Sequence, residues 1–101
     1  MNKRQWIKTL PCYVSNCANR DIDPAHIRTA QNSGMGMKPS DEWLIPLCRH
    51  HHRDVQHQHG YTDLVKLCGL NLNRFDAKQH LLMACEVYDK RFDVEGKNAI
   101  L

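Results

Sequence analysis

Two short-spaced pairs of metal-seeking side chains, Cys12-x4-Cys17 and Cys48-x2-His51, constrain this chain more than any other feature. Zinc takes four nitrogen or sulfur ligands in a tetrahedron, and two such pairs on two turns supply them economically. A closed shell of this kind would staple the N-terminal loop to the turn at Cys48. The staple matters because the chain has only 101 residues. A chain of that size buries only about 60–65% of its unfolded surface, and metals often supplement such a core. The identity of the fourth ligand is open at this point. His50, His51 and His52 are adjacent, and helical neighbours point about 100° apart, so all three cannot face one ion. Cys68 is a further donor, whereas Cys85 falls in a helical apolar stripe and reads as core.

The five cysteines are an odd number, and no charged segment followed by an apolar one opens the chain. No apolar run approaches the length of a membrane span. The expectation is a cytoplasmic protein whose clustered Cys and His bind metal rather than form disulfides, which disfavours a disulfide-stapled secreted domain. The formal charge is +3, with 14 Lys and Arg against 11 Asp and Glu. That balance is compatible with nucleic acid without demanding it.

Along the chain, Trp6, Ile7 and Leu10 form a short amphipathic piece that ends at Pro11. Ala25-His26-Ile27 reads as a short strand and residues 29–42 as a loop. Trp43 to Leu47 reads as a second, apolar strand. Pro46 has no N–H for a ladder, so it should lie at an edge or a strand end. His51 to His59 fits a helix stopped by Gly60. Thr62 is expected to cap a short helix, Asp63 to Cys68, closed by Gly69. Asp76 with Gln79 suggests the start of a longer helix reaching Phe92. Its positions Ala77, Leu81, Cys85 (or Ala84), Tyr88 and Phe92 recur at helical spacing and read as a packing face. Gly34-x-Gly36 lacks the flanking strand and helix of a dinucleotide fingerprint. It reads as a flexible loop from which Lys38 can reach a phosphate.

The motifs Leu10-Pro11-Cys12, Ala25-His26-Ile27-Arg28, Gly34 to Asp41, Pro46-Leu47-Cys48-Arg49 and His51-His52, with His57 and Gly60 beyond, follow one another in a specific order. Over roughly residues 4–60 the layout resembles the HNH nucleases of the ββα-metal (His-Me finger) type found in phage and prophage, in particular the group that includes recombination-enhancement nucleases. The resemblance implies an α+β fold: a small zinc-stapled ββα-metal domain with a short β-hairpin and additional C-terminal helices. It implies one domain over 1–101, with an HNH-like core at 4–60 and a helical extension at 61–101. It assigns His26 as general base, His52 as ligand to a catalytic divalent ion such as magnesium, and Cys12, Cys17, Cys48 and His51 to structural zinc. A neutral imidazole suits proton abstraction near pH 7, and a divalent cation suits the leaving oxygen.

The sequence departs from the pattern at two places. Ala25 stands where such sites carry Asp, and the Trp43 stretch stands where they carry a middle Asn. Asp41 is the candidate to supply the missing oxygen ligand or to orient His26. His57 is the candidate to complete the metal shell, ahead of His50 or His59. Arg28, Lys38, Arg49 and Arg53 are the expected contacts to nucleic acid. The implied function is metal-dependent hydrolysis of DNA phosphodiester bonds, with RNA also possible and no membrane partner. The alternative is a non-catalytic zinc module that binds nucleic acid or a protein partner.

Overall fold

The computed structural model describes residues 2–28 and 40–96. Helix α1 spans Lys3–Ile7 and starts at a capping box. The Asn2 side chain accepts from the Gln5 backbone N–H, and the Gln5 side chain accepts in return from the Asn2 backbone N–H. The helix buries Trp6 and Ile7. The chain then loops through Cys12 and Cys17. Asn16 takes a positive φ of 64°, a conformation Asn tolerates better than most residues, and the turn brings Cys17 back beside Cys12.

Strand β1 (Ile22–His26) pairs antiparallel with β2 (Leu44–Cys48) in a two-stranded sheet, with Pro24 opposite Pro46 and His26 opposite Leu44. A short 3-10 turn, Asp41–Trp43, leads into β2. Backbone bonds Ile27 N–H to Trp43 C=O and Arg49 N–H to Asp21 C=O fix which pairs exchange hydrogen bonds. Alternation then places both prolines at sites that need no ladder donor. It also turns the Pro46 carbonyl and the Cys48 N–H away from β1. The outer edge of β2 is therefore free to receive the N-terminal loop. Pro46 C=O accepts from Tyr13 N–H at 2.7 Å, and Cys48 N–H donates to Cys12 Sγ at 3.4 Å.

A helix over residues 49–59 (α2) follows β2 directly. It is π-wound over His51–Gln56 and α-helical over His57–His59. Gly60 ends it at φ 91°, ψ −175°, a region essentially reserved for glycine. The same glycine opens α3 (Tyr61–Lys66), so Thr62 lies inside that helix and does not cap it. Gly69, at φ 84°, closes the turn that follows. The long helix α4 (Arg74–Arg91) is capped by Asn73, whose side chain accepts from Asp76 N–H. The cap is thus Asn73, and Asp76 falls in the first turn. The chain continues as a π turn, Phe92–Gly96.

One buried core joins these elements. Ile7, Ile27, Leu44, Ile45, Leu47, Leu64, Val65, Leu81 and Cys85 are all fully buried. Ala77, Leu81 and Cys85 form the inner face of α4, as their spacing predicts, with Tyr88 and Phe92 packed beside them. Two long-range ties hold α4 and the turn after it to α1. Lys3 Nζ meets Asp89 Oδ1 at 2.7 Å, and the Trp6 and Phe92 rings lie 5.5 Å apart. A third, Tyr13 Oη to His80 Nε2 at 2.7 Å, ties α4 to the loop between the two cysteines. Among the described residues no helix is long and apolar enough to cross a membrane.

Candidate metal centre and histidine-lined cavity

The loop docked on the edge of β2 and the first turn of α2 together assemble Cys12, Cys17, Cys48 and His51. Their ligand atoms all lie within 4.8 Å of one another. A tetrahedral zinc ion with ordinary bond lengths would set sulfur–sulfur edges of about 3.8 Å and sulfur–nitrogen edges of about 3.5 Å. Cys17 Sγ and Cys48 Sγ are 3.8 Å apart. His51 Nδ1 lies 3.4 Å from Cys12 Sγ and 3.2 Å from Cys48 Sγ. The cluster could hold a metal ion such as zinc with little rearrangement.

The four donors differ in their electrostatics. Burial pushes the Cys12 thiol up to about 12. Burial also raises Cys48, but the His51 backbone N–H and the Asn19 amide, both donating to its sulfur, leave it below its ordinary value. Donors of this kind stabilise a thiolate. Burial lowers His51, which keeps its imidazole neutral and able to coordinate. Of the three adjacent histidines, only His51 enters the cluster. His50 turns outward to Asp54, at 2.9 Å. Cys68 and Cys85 lie elsewhere in the core.

His52 takes the third direction, toward β1. Its Nδ1 lies 3.1 Å from Asp23 Oδ2, with both side chains 20% exposed. Its ring meets His57 edge-on, with centroids 4.7 Å apart. In an α-helix, residues five apart would point about 140° away from each other. The π winding changes this. His57 N–H donates to His52 C=O, five residues back, and the two side chains fall on one face. Burial, followed by the proximity of His52, Arg28 and Arg53, lowers His57.

His26 closes the same region from the end of β1. Burial is the main cause that holds its pKa below the ordinary value, with Arg4 and Arg28 adding to it and Asp41 opposing. Its Nε2 is buried without a hydrogen-bond partner. Asp41 Oδ1 approaches it to 3.4 Å, too far for a good bond. Asp41 is instead gripped by Arg4, whose Nε and Nη2 donate to both carboxylate oxygens at 3.1–3.2 Å. That guanidinium holds the Asp41 carboxyl below the usual carboxylate range. Gln56 donates from Nε2 to the His26 carbonyl at 3.0 Å, while its Oε1 is also buried without a partner.

These histidines open on a cavity of about 800 Å³. Its lining brings together His26, His52, His57 and His59 with three cations, Arg28, Arg74 and Lys78, and includes no carboxylate. The four cations expected from sequence therefore divide. Arg28 lines the cavity; Arg49 and Arg53 are exposed on α2 outside it; Lys38 lies outside the described residues. Sequence reasoning missed Asp23, Arg74 and Lys78. In sequence, residues 18–25 are polar and Asp21, Asp23 and Pro24 read as a turn, whereas Asp23 lies in β1. Arg74 and Lys78 had only their helical spacing of four.

A family model described as "Protein of unknown function (DUF968)" matches residues 2–63. The curated "Uncharacterized protein YdfU" of Escherichia coli (strain K12) is 39% identical over 61 residues, 60% of this chain and 16% of that protein. The chain thus spans about a sixth of the length of the relative it matches. No solved structure matches.

Proposed function

This chain belongs to the DUF968 family of proteins of unknown function, and we propose that it is a metal-dependent endonuclease with an HNH-type ββα core. The observation that carries the reading is His26: a half-buried imidazole that burial favours in its neutral form, with Nε2 3.4 Å from the Arg4-bound Asp41 carboxylate, in the wall of a cationic cavity that His52 and His57 share. The order β1, β2, α2, stapled beside a Cys3His cluster, supports it.

In this reading the phosphodiester lies in the cavity, neutralised by Arg28. His26 takes a proton from water as the oxygen attacks phosphorus. The P–O bond to the leaving sugar oxygen breaks, and a proton returns to that oxygen. Asp23 accepts the Nδ1 proton of His52, which fixes the ring and frees Nε2 as a ligand, a common support for metal-binding histidines. With His57 this gives two imidazole donors for a divalent cation, the remaining positions falling to water and substrate oxygens. When bound, the cation would stabilise charge on the leaving oxygen. Arg4 fastens Asp41 3.4 Å from His26 Nε2, so that carboxylate stabilises the imidazolium that forms and does not ligate the ion.

The test is nicking of plasmid DNA by zinc-loaded protein with magnesium, manganese or nickel, and of RNA in parallel. His26→Ala should lower the rate by about 100-fold or more. Nicking that continues undiminished in that variant would remove His26 from its role. Absence of nicking with every ion would favour the second reading, a non-catalytic zinc module on nucleic acid. The engagement of Asp41 by Arg4, which leaves His26 Nε2 without a good hydrogen bond, is the observation on its side.

A further inference from the structure

The family match ends at residue 63, yet one wall of the cavity comes from beyond it. Arg74 and Lys78 stand on the first turns of α4 and line the cavity together with the histidines of α2. Four apart on a helix, they share one face about one turn from each other. Among the described residues neither is engaged in an ion pair. The helix that carries them is fixed in place: Asn73 caps it, Ala77 and Leu81 are fully buried, and Tyr13 ties His80 to the loop of the cysteine cluster. Two long cations are thus held on a rigid support, with no carboxylate in the lining to neutralise them.

Resting on the reading of this cavity as a phosphodiester site, we propose that Arg74 and Lys78 form a second phosphate subsite, which grips the strand beside the bond that is cut. The substrate class that fits is a polynucleotide, because a single phosphate held among the histidines would leave these two cations unanswered. Each phosphate that a cation neutralises on duplex DNA releases condensed counterions and adds about 0.9 to the slope of log affinity against log salt.

The experiment is fluorescence anisotropy of a short labelled DNA duplex with zinc-loaded protein, without added magnesium, over a salt series. The double variant Arg74→Gln/Lys78→Gln should lower the slope by about 1 to 2 and weaken binding severalfold at low salt. Lys90→Gln, exposed at the far end of the same helix, should leave the slope as it is. An unchanged slope in the double variant, or an equal fall with Lys90→Gln, would overturn the subsite. Normal binding by the wild type, a reduced slope in the double variant and no cleavage with any ion would retain the subsite and remove the nuclease reading. No binding by the wild type would remove both.

Discussion

Cys48, His51 and His52 fall within five consecutive positions and serve two different clusters. Two of the three enter the cysteine cluster, and the third leaves it for β1, because successive helical side chains diverge. The cysteines separate cleanly in their consequences. Cys17→Ser, with zinc measured by elemental analysis, should lose most of the bound metal and the cooperative thermal transition with it. Cys85→Ala removes a buried thiol outside the cluster and should keep its zinc at a cost of about 1–3 kcal/mol. Equal zinc content in the two variants would contradict the ligand assignment. His26 makes a pH prediction. Its folded pKa lies below the ordinary 6.5, so the unfolded chain binds its proton more tightly. Stability from this group is complete above about pH 6.5 and falls as pH drops toward the folded value. Urea titrations at saturating zinc should show His26→Asn losing less stability than the wild type on acidification through that window.

At the scale of elements, α2 decides what the site can be. Its π winding sets His52 and His57 on one face, and Gly60 then breaks it so that α3 can turn back over the cavity. A Cβ added at Gly60 would meet nothing within 4 Å. Any loss in Gly60→Ala is therefore backbone strain alone, since φ 91° with ψ −175° is a glycine conformation. The cost should be about 1–3 kcal/mol in a urea titration. An unchanged midpoint would mean that α2 and α3 can meet at another angle. The sheet works by the same economy. Opposed prolines leave the outer edge of β2 to the N-terminal loop, and that edge presents Cys48 N–H to Cys12.

At the scale of the molecule, α4 and the metal cluster each tie distant parts of a short chain together. Leu81 is fully buried between α4 and the rest of the core. Leu81→Ala should cost about 2–5 kcal/mol, measured by urea unfolding at saturating zinc. Chelation of the metal at neutral pH should lower the melting temperature, and added zinc should restore it. Ligand binding that needs the folded state contributes directly to folding stability. A melting temperature unaffected by chelator would show that the apolar core suffices.

Local pattern was enough for much of this. Ligand spacing singled out Cys12, Cys17 and Cys48 and left His50, His51 and His52 to compete for the fourth place; the fold brings His51 to it. Apolar periodicity identified the buried face of α4, and Pro46 identified an edge, since both follow from period and missing donors. The starts of α3 and α4 were misplaced by a few residues, where Gly60 and Asn73 prevailed over Thr62 and Asp76 as helix boundaries. Tertiary structure alone decided the rest. It set Asp23 against His52, gave Asp41 to Arg4, wound α2 so that His52 and His57 share a face, and carried Arg74 and Lys78 to the cavity. These are contacts between segments far apart in sequence, fixed by how the core packs, and no local spacing encodes them.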